Sequence, residues 1–302
     1  MSSDVVFFAL INVLMAWGVY VALSAGALSF GASAFMAIGC YAAGVLTVKA
    51  GWPLIPACLL GAVAAGVIGY VFGFPALRVR GIYLILVTLG IAMSMQVLLE
   101  NIDYVGGSVG FGGMAGATVW HAAGAVLLVG LTLWWVSRSP LQRVLDAVRE
   151  DDQVASALGI DAVQVKLMAF AIGSGIAGFA GGLYGHYLTF VRPDTFNVLL
   201  AIYAVMFVIL GGTNNFWGPA LGAAIMTILP EEVAFMREWR PTVFAISIIV
   251  LLLWRPQGLI TRRFVTRRLG ACKAARTNDA SRSSVDAPMP VASPSRAAKA
   301  AP

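Results

Sequence analysis

The sequence predicts an all-α integral membrane protein: a polytopic bundle of about nine transmembrane helices, with additional cytoplasmic helices. Of its 302 residues, 60% are hydrophobic and 11% are charged, whereas soluble globular domains contain about 25% charged residues. The apolar residues are grouped in runs close to the roughly 20 residues that a helix needs to cross a bilayer. A soluble fold of this size could not bury so much apolar surface.

Nine apolar segments define the expected helices. They lie at residues 5–24, 31–48, 54–74, 82–99, 118–137, 166–188, 197–211, 218–236 and 241–254. The seventh is short for a span, so we expect it to be tilted or broken. Asp4 precedes the first segment, where a cleavable signal peptide would carry Lys or Arg. We therefore interpret this segment as a permanent span.

Two segments carry a face of small residues. These recur every four positions, as Ala57, Gly61, Ala65, Gly69 and Gly73 in the third segment and Gly173, Ala177, Gly181 and Gly185 in the sixth. Small residues on one face let membrane helices approach closely. We interpret both faces as packing faces, and the second interpretation is that they line a pathway.

The basic residues predict the orientation, because Lys and Arg are enriched in the cytoplasmic loops of membrane proteins. Clusters follow the third, fifth and ninth segments, and these three segments end on the same side if the spans alternate. Of the twenty basic residues, only Lys49, Arg192, Arg237 and Arg240 then lie outside. This orientation places the N-terminus outside.

We expect residues 1–260 to form one membrane domain and residues 261–302 to form a disordered cytoplasmic tail. The tail begins with basic residues and continues as an Ala-, Ser- and Pro-rich stretch without apolar periodicity. Its basic start fits contact with anionic membrane lipid, and it fits equally a role as a topology signal alone.

The spans lack the residues that several other classes of membrane protein require. No acidic or basic residue lies deep within a segment, whereas proton- or sodium-coupled transporters hold an ionisable group near the bilayer midplane. None of the lysines follows a glycine, so the sequence has no P-loop for ATP. We interpret His121 and His186 as interfacial or packed residues, since the sequence shows no catalytic cluster around them. The three cysteines have no metal or disulfide spacing.

One connection between spans is long and polar: residues 138–165, hereafter the 138–165 connection. Its apolar residues have helical spacing, at Leu141, Val144, Leu145 and Val148 and then at Val154 and Leu158. Gly159 can end a helix, and Asp161 can cap the next one. We expect short amphipathic helices at the membrane surface, which either dock into a groove of a partner protein or lie on lipid.

Glycine-rich turns precede the second and eighth segments. They are the first turn, residues 24–31, and the second turn, residues 211–219. Interrupted helices often flank the substrate path of a transporter, and exposed helix N-termini can hold a carboxylate. The alternative is a purely structural role, with glycine supplying positive φ and Pro219 starting a helix. The candidate pathway residues in these turns are Ser29, Gly31, Gly211 and Gly212.

A series of short motifs connects the chain to a known family. They lie at residues 78–83, 106–108, 143–152, 157–161, 166–170, 193–196, 217–219 and 255–259. Their order and spacing resemble those of permease subunits of branched-chain amino-acid ABC importers, up to about residue 260. In that family the segment matching the 138–165 connection contacts the ATPase. The resemblance assigns this ATPase-coupling role to Ala147, Arg149, Glu150, Ala155, Leu158 and Gly159, and it adds Gly106 and Gly107 to the pathway turns.

The resemblance also implies partners and a location. It implies a second homologous but non-identical permease subunit, two ABC ATPase subunits and an extracytoplasmic solute-binding protein. ATP would be bound by the ATPase subunits, with no cofactor in this chain. The chain would span the bacterial inner membrane, in contact with membrane lipid. We expect no nucleic-acid partner, because the positions of the basic residues explain the net charge of +6.

The sequence departs from the family where relatives carry polar residues. Ala27 and Ala32 stand where Gln and His are common, Val109 stands where Asp or Asn is common, and Asn214 replaces a usual Gly. The expected substrate is therefore a branched-chain amino acid or a related small polar solute, such as urea, an amide or an aromatic acid.

Two other functions are compatible with parts of the sequence. An energy-independent channel or facilitator for small solutes fits the uncharged spans, but it leaves the 138–165 connection without a purpose. A membrane enzyme is disfavoured because no catalytic cluster is present in the sequence.

Overall fold

A computed structural model describes residues 3–79, 81–213 and 215–232, with side chains described up to residue 228. Ten α-helices lie in these ranges. They are α1 Ser3–Ser24, α2 Ala32–Val48, α3 Leu54–Ala76, α4 Ile82–Glu100, α5 Val119–Arg138, α6 Pro140–Glu150, α7 Asp152–Ala157, α8 Ala162–Leu188, α9 Val198–Gly211 and α10 Trp217–Glu232.

Eight of these helices, all except α6 and α7, match the first eight predicted segments, and they confirm an all-α polytopic bundle. Within the described residues, six stretches are long and apolar enough to cross a bilayer, and α2 and the start of α10 are shorter apolar helices. The seventh segment is short as expected: α9 has 14 residues, and a 3₁₀ turn at Pro193–Phe196 precedes it. The predicted ninth span, 241–254, and the tail, 261–302, lie outside the described residues.

The small residues of the third and sixth segments lie where helix backbones meet. A Cβ atom on Gly18 of α1 would stand 2.7 Å from the carbonyl oxygen of Gly173 in α8, and one on Gly61 of α3 would stand 2.6 Å from that of Gly39 in α2. Gly178 of α8 also lies against Gly39. The interpretation of these faces as packing faces is therefore confirmed, because these glycines allow backbone-to-backbone contact.

Burial divides the helices into interior and peripheral ones. In the most apolar stretch of each helix, 72% of α1 and 61% of α8 are buried, against 28% of α3, 22% of α4 and 17% of α5. Exposed side chains of the peripheral helices are mostly apolar, as at Val63, Val67 and Leu127. Apolar exposure suits a surface that faces lipid or another membrane subunit, not water.

Hydrogen bonds between distant parts of the chain attach α10 to α1. The Asn12 side-chain amide donates to Thr227 Oγ1 at 3.0 Å. The Trp17 indole N–H donates to the carbonyl oxygen of Phe216 at 2.8 Å. Polar side chains in apolar helices commonly find such partners, because an unpaired donor in hydrocarbon is costly.

A short β-pair at one end of the bundle was not expected from the sequence. Strand β1, Phe111–Gly112, pairs antiparallel with β2, Phe190–Val191. Gly110 allows this approach, since a Cβ there would lie 2.8 Å from the carbonyl oxygen of Val191. Two-residue strands are too short for a periodic pattern, so hydrophobic alternation could not reveal them.

We predict that Gly18→Ala destabilises the protein in mild detergent, whereas Gly124→Ala does not. The added methyl group at residue 18 meets the α8 backbone, and overpacking of this kind costs about 1–3 kcal/mol. No other group lies within 4 Å of a Cβ at Gly124 in α5, and Ala is the better helix former there. Thermal unfolding midpoints measured side by side provide the test. Equal midpoints for the two variants would contradict the packing described above.

Candidate functional site

The 138–165 connection folds into α6 and α7, and its helix ends are defined by side chains. Ser139 Oγ accepts from the Leu141 N–H at 3.2 Å, with Pro140 as the first residue of α6. Asp151 Oδ1 accepts from the N–H groups of Gln153 and Val154, which begins α7. Serine before proline and aspartate at the N-cap are strong helix starts. Both signals are readable in the sequence.

The two residues predicted to end and restart the helices do so. Gly159, which follows α7, has a φ of +84°, in the left-handed region that favours glycine. Asp161 Oδ1 accepts from the Gln164 N–H at 3.1 Å and caps α8. The connection is therefore continuous with the N-terminus of α8, one of the interior helices.

A small apolar core and an ion pair hold the connection to α8. Val148 of α6, Ala155 of α7 and Ala162 of α8 are buried together. Lys166 Nζ of α8 lies 2.6 Å from Asp152 Oδ2 of α7, and both side chains are largely buried. Charged hydrogen bonds that are partly shielded from water are among the stronger ones. A movement of α7 is therefore expected to move the start of α8.

The six predicted ATPase-coupling residues differ from one another in their exposure. Ala155 is 1% exposed, inside the small core, and Ala147 is half-buried. Glu150 and Gly159 are exposed. Leu158 is 73% exposed, and its neighbour Val154 is also exposed. The residues available to a partner are thus Glu150, Leu158, Gly159 and Val154.

Arg149 is also at the surface, but its side chain is directed towards the second turn. Its guanidinium donates to the Thr213 carbonyl oxygen at 3.2 Å and to Thr213 Oγ1 at 2.8 Å. The Cα of Arg149 lies 3.5 Å from the position of a Cβ on Gly26 in the first turn. The 138–165 connection therefore contacts both glycine-rich turns. Neither contact was foreseen from the sequence.

In the first turn, between α1 and α2, side-chain hydroxyl groups accept hydrogen bonds from backbone N–H groups. The Phe30 N–H donates to the hydroxyl of Thr88 in α4 at 3.0 Å, and the Gly31 N–H donates to Ser29 Oγ at 3.1 Å. Thr88 is fully buried and Gly26 has a φ of +84°. The structural interpretation of Ser29 and Gly31 is supported, since their polar groups are used within the turn.

The second turn brings the backbones of α9 and α10 together. A Cβ on Gly218 would lie 2.5 Å from the carbonyl oxygens of Gly211 and Gly212, and Gly212 has a φ of +97°. α10 begins at Trp217, so Pro219 lies in its first turn as anticipated. Asn214 lies outside the described residues.

The third glycine pair lies at the opposite end of the bundle. Gly106 and Gly107 have φ values of +88° and +52°, in a turn that leads to Gly110 and the β-pair. The β-pair follows the C-terminus of α8, whose 27 residues span about 40 Å. The structure therefore brings the first and second turns to the 138–165 connection and separates both from this pair.

A cavity of about 520 Å³ with a mixed polar and apolar lining opens between the first turn and α7. Residues that follow α1 and α3 line it together with residues of α7, α8 and the start of α4, and its polar side chains are those of Asp152, Gln153, Ser156 and Lys166. This cavity is at the same end as the exposed coupling residues.

The two histidines have structural positions, as interpreted from the sequence. His186 is buried, with Nδ1 2.7 Å from the Gly182 carbonyl oxygen and Nε2 2.8 Å from Thr47 Oγ1. Because the carbonyl oxygen only accepts, Nδ1 carries a proton. His121 caps its own helix through Thr118. Among the described residues, no cluster of His, Cys, Asp and Glu could hold a metal ion.

Comparison with known proteins gives the family. The family described as "Branched-chain amino acid transport system / permease component" matches residues 1–253. The chain belongs to this family. It is a membrane-embedded permease subunit of an importer, a transport component that works with other subunits.

The LivM relatives match this chain over most of their length, and a LivH relative matches over about half. The LivM permease protein of the high-affinity branched-chain amino acid transport system of Escherichia coli K12 is 30% identical over 312 residues, covering 89% of this chain and 73% of the relative. LivM of Salmonella typhimurium is 29% identical, covering 86% and 70%. LivH of Escherichia coli K12 is 28% identical over 148 residues, 48% of this chain and 47% of the relative. No solved structure gave a significant match.

We predict that Asp151→Ala loosens α7 whereas Asp151→Asn preserves it. Alanine removes the acceptor for the Gln153 and Val154 N–H groups, and loss of an N-cap costs about 0.5–2 kcal/mol, whereas asparagine caps equally well. Hydrogen–deuterium exchange of amides 153–158 is the measurement. Faster exchange in the alanine variant alone is expected. Unchanged exchange there would show that Asp151 does not hold α7.

Proposed function

We propose that this chain is a permease subunit of an ATP-driven importer in the bacterial inner membrane, and that the 138–165 connection receives the ATPase. The proposed assembly contains a second homologous permease, two ABC ATPase subunits and an extracytoplasmic solute-binding protein. ATP is held by the ATPase subunits, and this chain holds no cofactor. The observation that carries the proposal is a folded, partly apolar surface unit that is joined directly to the interior helix α8.

The exposed part of this unit has the composition of a protein-docking surface. Leu158 and Val154 expose apolar side chains, and Glu150 and Asp151 provide polar groups beside them. Interfaces commonly combine a few apolar contact residues with a polar rim. Lipid could cover the same side chains, but the buried core of Val148 and Ala155 also gives the unit the rigidity that a mechanical contact needs.

We assign the two kinds of role among the coupling residues as follows. Leu158, Glu150 and Gly159 contact the ATPase directly, because they are exposed. Ala155 and Ala147 instead hold the unit together, because they are buried or half-buried against it. Movement imposed by ATP binding then passes through Asp161 and Lys166 into α8, and through α8 into its neighbours.

The proposed substrate is a branched-chain amino acid or a related small polar solute, such as urea, an amide or an aromatic acid. The relatives support the first choice by their names. Ala27 and Ala32 are buried at the first turn. Members of the family commonly have polar side chains at these two positions. Val109 is 76% exposed near the β-pair. The loss of polar groups at these positions supports a solute that differs from leucine, isoleucine and valine.

We predict that Leu158→Asp reduces recovery of the ATPase with the permease by about tenfold or more, because burial of one leucine at an interface contributes roughly 1.5–3 kcal/mol. Leu158→Met, which keeps an apolar side chain of similar size, should retain recovery. Co-purification from mild detergent, at equal amounts of inserted permease, is the measurement. Equal recovery for both variants would remove Leu158 from the interface.

Uptake measurements, combined with the same co-purification, distinguish an importer from an energy-independent channel. Uptake into cells or vesicles should stop when ATP is depleted, and the wild-type chain should co-purify with a P-loop ATPase. Uptake that survives ATP depletion, with no ATPase recovered, would overturn the importer proposal.

A further inference from the structure

The Arg149 side chain makes the direct polar contact between α6 and the second turn. Two nitrogens of one guanidinium reach one residue: NH1 donates to the Thr213 carbonyl oxygen at 3.2 Å, and NH2 donates to Thr213 Oγ1 at 2.8 Å. A planar fork that bonds twice fixes both distance and orientation. A lysine ammonium would reach the same oxygens without fixing the orientation.

The same residue also contacts the first turn through its backbone. The Cα of Arg149 lies 3.5 Å from a Cβ position on Gly26, which is ordinary van der Waals contact, so the first turn packs directly against α6. Gly26 is also 3.8 Å, by the same measure, from the Lys166 side chain that holds α7. Arg149 therefore lies between the α1–α2 hairpin on one side and the α9–α10 hairpin on the other.

Each of these turns is hydrogen-bonded to another helix. A displacement of Arg149 is therefore expected to move those helices as well. The second turn continues to Phe216, whose carbonyl oxygen accepts from the Trp17 indole in α1. The first turn is held to α4 by the bond from the Phe30 N–H to Thr88. The helices that flank the two turns, α1, α2, α9 and α10, together with α4, are thus linked to the coupling unit formed by α6 and α7. This link is additional to the covalent path into α8.

We infer that Arg149 is a positioning residue that transmits movement of the coupling unit to the α9–α10 and α1–α2 hairpins, and that it is not itself a contact for the ATPase. This inference rests on the proposed function, because it presupposes an ATPase that moves α6 and α7. It revises the role that the family resemblance assigns to this residue. The hydrogen-bond acceptor of its guanidinium is Thr213 of the same chain.

The first test is the number of solute molecules imported per ATP hydrolysed, measured with the complete complex in proteoliposomes. Arg149→Gln should lower this ratio by about fivefold or more, which is the lower end of typical coupling between sites, while ATP hydrolysis continues. Arg143→Gln, at an exposed arginine of the same helix, should keep the wild-type ratio. Arg149→Lys should lie between the two.

The Thr213 side of the contact gives a matched pair. Thr213→Val removes the hydroxyl acceptor and should lower the ratio, whereas Thr213→Ser keeps it and should not. The double variant with Arg149→Gln should be no worse than Arg149→Gln alone, since both changes break one contact. Fully additive losses would overturn the inference.

A second readout follows the turn directly. In a cysteine-free background, a cysteine introduced by Asn215→Cys should react with a maleimide at a rate that changes when ATP is trapped on the ATPase. Arg149→Gln should abolish this change, and Arg143→Gln should leave it. An unaltered change in the Arg149→Gln variant would overturn the inference.

The outcomes separate this inference from the proposed function. If the wild-type chain recovers no ATPase, or imports without ATP, the proposed function fails. If the wild-type complex works and Arg149→Gln loses the ATPase during purification, Arg149 is a docking contact and the inference alone fails. If the wild-type complex works and Arg149→Gln imports at the wild-type ratio, the inference alone also fails.

Discussion

The backbone of α8 lies against α1, α2 and α3 at distances that leave no space for side chains. Gly173 faces Gly18 in α1, and Gly178 faces Gly39 in α2. The hydrophobic effect does not bring helices together inside a bilayer, so such close packing is the main source of attraction between them. Because the contact is rigid and continuous along α8, a displacement at one end of that helix cannot be absorbed by side-chain rearrangement. The rest of the bundle is arranged around this constraint.

The coupling unit uses this rigidity. α6 and α7 contribute only a small core of their own, so they depend on α8 for a fixed position. The Asp161 cap and the Lys166–Asp152 ion pair provide that position at the first turns of α8. In the function proposed above, a partner that binds Leu158 would act on this short connection to α8, and Arg149 would provide a second connection to the neighbouring hairpins.

The fold was largely readable from the sequence, and the site only in part. Runs of apolar residues located the first eight predicted helices, because a bilayer demands long apolar segments. Helical spacing located α6 and α7, and Gly159 and Asp161 marked their end. The roles within the connection were not readable. Ala155 lies in α7 and Leu158 directly follows that helix; both are small or apolar, yet Ala155 is 1% exposed and Leu158 is 73% exposed.

The sequence by itself determined that this protein crosses the membrane repeatedly. It also determined that the polar 138–165 connection lies on the side of the membrane where the basic residues are clustered. Both properties depend on local composition. Only the tertiary structure decided which helices are interior, that the first and second turns meet the coupling unit, and that Arg149 binds Thr213. Those two residues are 64 positions apart, and they meet because glycine packing brings α1, α8 and the α9–α10 hairpin to one end. Local patterns carry no information about such distances, since the partners of a side chain are chosen by the packing of helices that lie far apart in the chain.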